Sequence, residues 1–293
     1  MADWEWLTLV SRWALYLGMA VALGGIASEW LMHSYRQLMP ALKRYTLAGI
    51  LFASLTLLLH FMIRVGGLAE TGLSGMVDPF MLQVMWQSTV GNALAWAVTG
   101  LLLLTVSHAI SFRTGDGRII YWLQRTAAVA GMVILAYSFS LSGHVQSGGV
   151  LTAAALTVHI LIIFCWLGLL FPLWLATHRL GSDQSHRLLD LFGRLALPAV
   201  VLLLGAGMLL SYQLAGWDEE LLDSRYGFWL LLKLALVGVI LTLAVVHKFY
   251  LVPALKRGGS ARAMKRSLLL EKIVGMAILA VTTVLAVLVG PEH

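Results

Sequence analysis

A chain of 293 residues that is 60% hydrophobic and only 12% charged, with a mean hydropathy of +0.87, lacks the polar surface of a soluble domain of this size. Its formal net charge of +6 comes from lysines and arginines spread over short connectors, which points away from nucleic acid and towards a lipid bilayer. The single cysteine, Cys165, excludes an intramolecular disulfide and a cysteine-rich metal cluster.

The apolar runs predict an all-α, polytopic membrane helix bundle forming a single integral-membrane domain over residues 1–293. Its eight transmembrane helices are expected at roughly 5–33, 44–66, 86–111, 119–142, 151–177, 189–214, 227–252 and 267–290. The opening MADWEW is acidic and lacks the basic start and cleavage site of a signal peptide, so the first helix is expected to be retained. Turn or charge signals close the spans: Pro40 with Lys43-Arg44, Thr114-Gly115-Asp116-Gly117, Gly181-Ser182-Asp183 and Gly258-Gly259. The connectors after spans one, three, five and seven carry most of the cations, among them Arg36, Lys43, Arg118, Arg187, Lys256 and Lys265. The positive-inside rule makes that face cytoplasmic and both termini periplasmic. Most acids lie on the opposite face, including Glu5, Glu70, Asp78, Asp218, Glu219, Glu220 and Asp223. A solvated loop explains the last four, though such a run also raises the local cation concentration.

An ionisable residue within a span is a functional candidate because it needs a partner or a cavity. Glu29 and His33 stand one turn apart at the basic end of span one, as an exit site or a capping pair. His60 is near the opposite end of span two. Met76, Met81 and Met85 follow in the next connector, and Met81 and Met85 share a face if that segment is an interfacial helix. Thioethers select Cu(I), but methionine is also a common apolar filler.

His144 closes span four, and His159 lies about eight residues into span five, roughly 12 Å deep. One reading makes His159 neutral polar glue against a neighbouring helix. The other makes His144 and His159 metal ligands, with His60 at similar depth; a site without carboxylates disfavours hard cations and suits copper. Cys165 is rotated about 240° from His159, whereas Trp166 shares its face and either walls a cavity or packs. Lys233 and Arg12 are placed to snorkel, and Glu271 suits the dipole at the start of span eight.

Several stretches together resemble the copper resistance D (CopD/PcoD-like) family of bacterial inner-membrane copper proteins. They are "SGHVQSGGVLTAAALTVHILIIFCWLGLLFPLW", with Gly143-His144, His159 and Trp166-Leu167-Gly168; the lysine-bearing "YGFWLLLKLALVGVILTLAVVHKFYLVPALKR"; "KRSLLLEKIVGMAILAVTTVLAVL" with Glu271; and the region from Gly66 to Trp96. The resemblance implies an eight-helix inner-membrane protein that takes copper ions from the periplasm towards the cytoplasm, beside a periplasmic copper-binding partner. It carries His144 and His159 over as candidate ligands. One departure stands out: where the family often has a histidine near the outer end of the first helix, this chain reads Ser11-Arg12-Trp13-Ala14-Leu15. No nucleotide-binding G-x-x-x-x-G-K-[ST] is present, and no enzymatic activity is expected. The alternative is a b-type cytochrome, with haem b held axially by His60 and His159. A third reading is a structural or receptor-like membrane protein whose histidines are packed polar groups.

Overall fold

The computed structural model describes residues 2–112, 117–143, 148–215, 224–257 and 262–289. Helix α1 (Ala2–Leu31) is followed by α2 (Met39–Ala69), a 3-10 turn (Gly72–Val77) and the short α3 (Pro79–Trp86). Next come α4 (Thr89–Ile110), α5 (Arg118–Tyr137) with a 3-10 extension (Ser138–Leu141), α6 (Gly149–Arg179) and α7 (Ser182–Ala215). The chain then forms α8 (Arg225–Val246), a π-helical segment (His247–Leu251), the short α9 (Val252–Lys256) and α10 (Arg262–Val287). Eight of these helices are long and apolar enough to cross a membrane, namely α1, α2, α4, α5, α6, α7, α8 continued through α9, and α10. The all-α, eight-span expectation is therefore met.

The expected and observed ends differ most at the sixth span, expected from 189 but helical from Ser182. Apolarity marks only the lipid-facing length, and the helix continues beyond it through Asp183 and Arg187, polar residues that suit a helix leaving the bilayer. Local chemistry fixes other ends. Asp78 accepts from Met81 N at 2.8 Å while Pro79 begins α3, and Ser88 caps α4 by accepting from Val90 N at 3.2 Å.

Helix α1 is the axis of the bundle, packing on α2, α6 and α10. Lipid tails are as apolar as the side chains, so close packing rather than water exclusion must hold such helices together. Gly24 and Gly168 show how close: a Cβ on Gly168 would lie 1.8 Å from the Ala20 carbonyl oxygen, and one on Gly24 2.3 Å from Gly168 Cα. One apolar cluster gathers α1, α2, α4 and α5 around Met19, Leu23, Ala53 and Leu104, with Phe164 of α6. A second, at the basic face, joins Met32, Leu38 and Leu42 to Leu170, Leu173, Leu188 and Leu255.

The packing is uneven. In the most apolar stretch of α1, 61% of residues are buried within the protein, against 6% in each of α7 and α8. Helix α7 packs on α6 and α9, and α8 packs on α10, while α7 and α8 make at most marginal contact with each other. These two helices are loosely held at the periphery of a tight core.

Candidate functional site

Odd-numbered spans end, and even-numbered spans begin, at the basic face, so the structure sorts the polar residues into two levels. In the half nearer the opposite face, His159 projects from α6 towards α7. A Cβ on Gly207 would sit 3.4 Å from its Cε1 and 3.6 Å from its Nδ1. His159 Nδ1 is buried and has no hydrogen-bond partner among the described residues. The ring interacts with the Leu203 backbone of α7, and Lys233 of α8 lies within electrostatic reach. His159 thus sits between α6 and α7, with the charge of α8's Lys233 acting on it. Lys233, read from the sequence as a snorkelling residue, belongs to the surroundings of this histidine.

His144 lies outside the described residues. Beside it, Gly143 and Gly149 take left-handed φ values of +79° and +74°, which a glycine adopts without strain.

His60 is directed elsewhere. Its Nδ1 is 2.8 Å from Ser11 Oγ on α1, and its ring lines a cleft that includes Arg12 and Arg64 but not His159. Ser11 and Arg12 occupy the stretch of the first helix singled out above. Two guanidiniums beside an imidazole oppose a metal cation there, as the single ammonium of Lys233 does at His159. The histidines required as an axial haem pair therefore face different neighbours, Ser11 for His60 and Gly207 for His159.

The methionines pack. Met76 lies against Gly66, Met81 is packed on the first apolar cluster, and Met85 is buried within it. Ser88 Oγ is 3.8 Å from Met85 Sδ. Met81 and Met85 do share the expected short helix, α3. Cys165 is a free thiol packed on the same cluster.

The second level holds two carboxylates, one partly buried and one buried, each beside a histidine. Glu29 of α1 accepts from Thr46 Oγ1 of α2 at 2.6 Å, and His108 Nδ1 of α4 lies 3.7 Å from its Oε1. His108 is 4% exposed, and neither of its ring nitrogens has a hydrogen-bond partner among the described residues. The expected Glu29–His33 pair does not form. His33 is exposed, its Nδ1 is 3.0 Å from the Trp30 carbonyl oxygen, and its Nε2 is 3.3 Å from Ser34 Oγ.

Glu271 of α10 is 2% exposed. Trp166 Nε1 of α6 donates to its Oε1 at 3.0 Å, and His247 Nδ1 stands 3.4 Å from its Oε2. His247 Nε2 is 2.6 Å from Ser267 Oγ. This network ties α6, the π-helical segment and α10 together, so Trp166 serves as a hydrogen-bond donor as well as a packing residue. π-Helical segments are rare, and those that occur within α-helices frequently lie at functional sites.

Sequence reasoning missed His108, His247, Thr46 and Gly207 as contributors. The face shared by the ends of odd spans was the available signal for the two histidines. Among the described residues no group of three or more His, Cys, Asp or Glu converges as a metal cage.

Residues 186–285 match the family model described as copper resistance protein D, a region spanning most of α7 together with α8, α9 and most of α10. The chain is 25% identical over 235 residues to "Inner membrane protein YebZ" of Escherichia coli (strain K12), covering 76% of this chain and 77% of that protein. It is 23% identical over 294 residues to "Copper transport protein CutJ" of Bacillus subtilis (strain 168), covering 98% of this chain but 53% of that longer protein. No solved structure matches. These similarities bear out the resemblance to the copper resistance D family drawn from the sequence.

Proposed function

We propose that the protein is a multi-pass inner-membrane copper carrier that takes copper at its periplasmic side and passes it towards the cytoplasm. The observation that carries this reading is His159: a buried imidazole nitrogen without a partner among the described residues, against Gly207 of α7 and within electrostatic reach of Lys233 of α8. A buried nitrogen left unpaired costs about 1–3 kcal/mol, a cost that binding a soft or borderline cation removes. Imidazole suits copper better than it suits magnesium or calcium, and among the described residues no carboxylate acts on His159.

The copper class is supported by the family match over 186–285 and by the similarity to a protein named for copper transport. The inner membrane is supported by the eight apolar helices and by the similarity to a protein named for that membrane. The direction is supported by charge. Cations crowd one face, which the positive-inside rule makes cytoplasmic, and His159 lies in the half nearer the other. His144, at the outer end of the neighbouring connector, is the second ligand in this reading. A periplasmic copper-binding protein is the expected donor. The loosely packed α7 and α8 provide the moving part, because so little of either is buried that their movement breaks few contacts with the core. Glu29 with His108, and Glu271 with His247, stand on the cytoplasmic half of the route.

The test is metal analysis of the protein purified in detergent and equilibrated with copper, alongside the His159→Ala and His144→Ala variants. Bound copper is expected to fall at least several-fold in the His159 variant while the protein stays folded. Copper that persists unchanged in both variants rejects the site.

A further inference from the structure

The cleft beside His60 gathers two arginines, a residue set that suits an anion. It is open to solvent, with a cavity volume of about 70 Å³, between α1, α2, α4 and the 3-10 turn after α5. Arg12, His60, Arg64, Ser138 and Ser142 supply its polar lining, against an apolar wall that includes Phe61 and Phe139. Among the described residues no carboxylate lines it.

Arg12 Nε donates to Tyr16 OH at 2.9 Å, leaving the two terminal nitrogens of its guanidinium without a described partner. Arg64 makes no hydrogen bond or ion pair among the described residues, and the two arginines act electrostatically on one another and on His60. The Ser138 hydroxyl is already committed, donating to the Leu135 carbonyl at 2.7 Å. Two facing cations at the edge of a bilayer repel one another, and in low dielectric that repulsion is poorly screened. A guanidinium offers five N–H donors in a planar fork that matches phosphate geometry. An anion between Arg12 and Arg64 turns the repulsion into two attractions.

We propose that this cleft binds a phosphate oxyanion, held by the forks of Arg12 and Arg64 with the His60 ring at its side. A lipid headgroup and free phosphate share that chemistry. The apolar wall accommodates the attached chain or glycerol if the source is a lipid. The site is independent of the copper reading, because the cleft excludes His159, and copper content is not expected to follow its occupancy.

The test uses the full chain in nanodiscs, with unfolding followed by tryptophan fluorescence. One arm adds inorganic phosphate to phosphatidylcholine discs, with chloride at equal ionic strength as control. The other replaces part of the phosphatidylcholine with phosphatidylglycerol. A rise of several degrees in apparent Tm is expected in at least one arm: the phosphate arm alone marks a soluble oxyanion, and the phosphatidylglycerol arm alone a lipid headgroup. The rise is expected to vanish in Arg64→Gln and to survive in large part in Arg64→Lys, which keeps the charge. Arg12→Gln supplies the same test if Arg64→Gln does not fold. A wild-type Tm that moves in neither arm overturns the proposal, as does a rise that persists undiminished in a folded glutamine variant.

Discussion

Trp166 on α6 donates from Nε1 to Glu271 Oε1 on α10 at 3.0 Å, and on the other side of that carboxylate His247 stands 3.4 Å from Oε2. One buried acid thereby joins three segments, including the point where α8 gives way to its π-helical end. Replacing Trp166 by Phe, or Glu271 by Ala, each leaves a buried polar partner without its bond, at an expected cost of about 1–3 kcal/mol. Because both act through the same bond, the double variant is expected to lose less than the sum of the singles, by about 0.5–3 kcal/mol. Reversible unfolding in mixed micelles measures the cycle, and strict additivity contradicts the linkage.

Helix α6 carries Trp166 at one level of the bundle and His159, seven residues earlier, at the other. Gly207 tests that upper level by size. A Cβ there meets only the His159 ring, at 3.4 Å and beyond, whereas one on Gly168 meets the Ala20 backbone at 1.8 Å. Gly207→Val is therefore expected to lower bound copper several-fold with little loss of stability. Gly168→Ala should destabilise by about 1–3 kcal/mol or prevent folding. At Gly205 nothing lies within 4 Å of an added Cβ, and Gly205→Ala is expected to be neutral or to stabilise by about 0.5–1 kcal/mol. Copper content and thermal unfolding measured on the three variants separate these outcomes.

Glu29 takes its hydrogen bond from Thr46 at 2.6 Å and faces His108. Thr46→Val keeps the shape and removes the donor, with an expected loss of about 0.5–1.5 kcal/mol, rising towards 3 if the charged acceptor is left bare. If this pair stands on the copper route, Glu29→Gln should slow copper delivery into proteoliposomes while leaving copper bound at His159 unchanged. His33→Ala, at an exposed position, should change neither. Equal loss in Glu29→Gln and His33→Ala would remove Glu29 from the route.

The methionines of the connector are packing residues. Met76→Leu, Met81→Leu and Met85→Leu conserve volume and are each expected to cost less than about 1.5 kcal/mol. Copper stoichiometry is expected to stay at the wild-type value in all three. A fall in the Met85→Leu variant alone would make that thioether a ligand, since Met85 is the most deeply buried of them.

The eight spans were legible because a bilayer demands long uninterrupted apolar runs, and nothing else in the chain produces them. Depth was legible too: charge asymmetry put His159 in one half and Glu29 in the other. Lateral neighbours were not. A same-helix rule paired Glu29 with His33 one turn on, but the acid faces Thr46 and His108 from two other helices. Hydropathy assigns no rotation to a helix whose whole circumference is apolar, so nothing in α6 announced that Trp166 would meet Glu271. Shared depth also linked His60 with His159, and the structure turns them to different helices, α1 and α7. Arg12, read from the sequence as a residue that snorkels, lines one cleft together with Arg64 and His60.

The most direct test of the account is copper entry into proteoliposomes holding the full chain, compared with the same preparation of the His159→Ala variant at matched protein content. The account predicts entry in the wild type that exceeds empty liposomes and falls to near their level in the variant. Entry at the wild-type rate in a folded His159→Ala protein would contradict it.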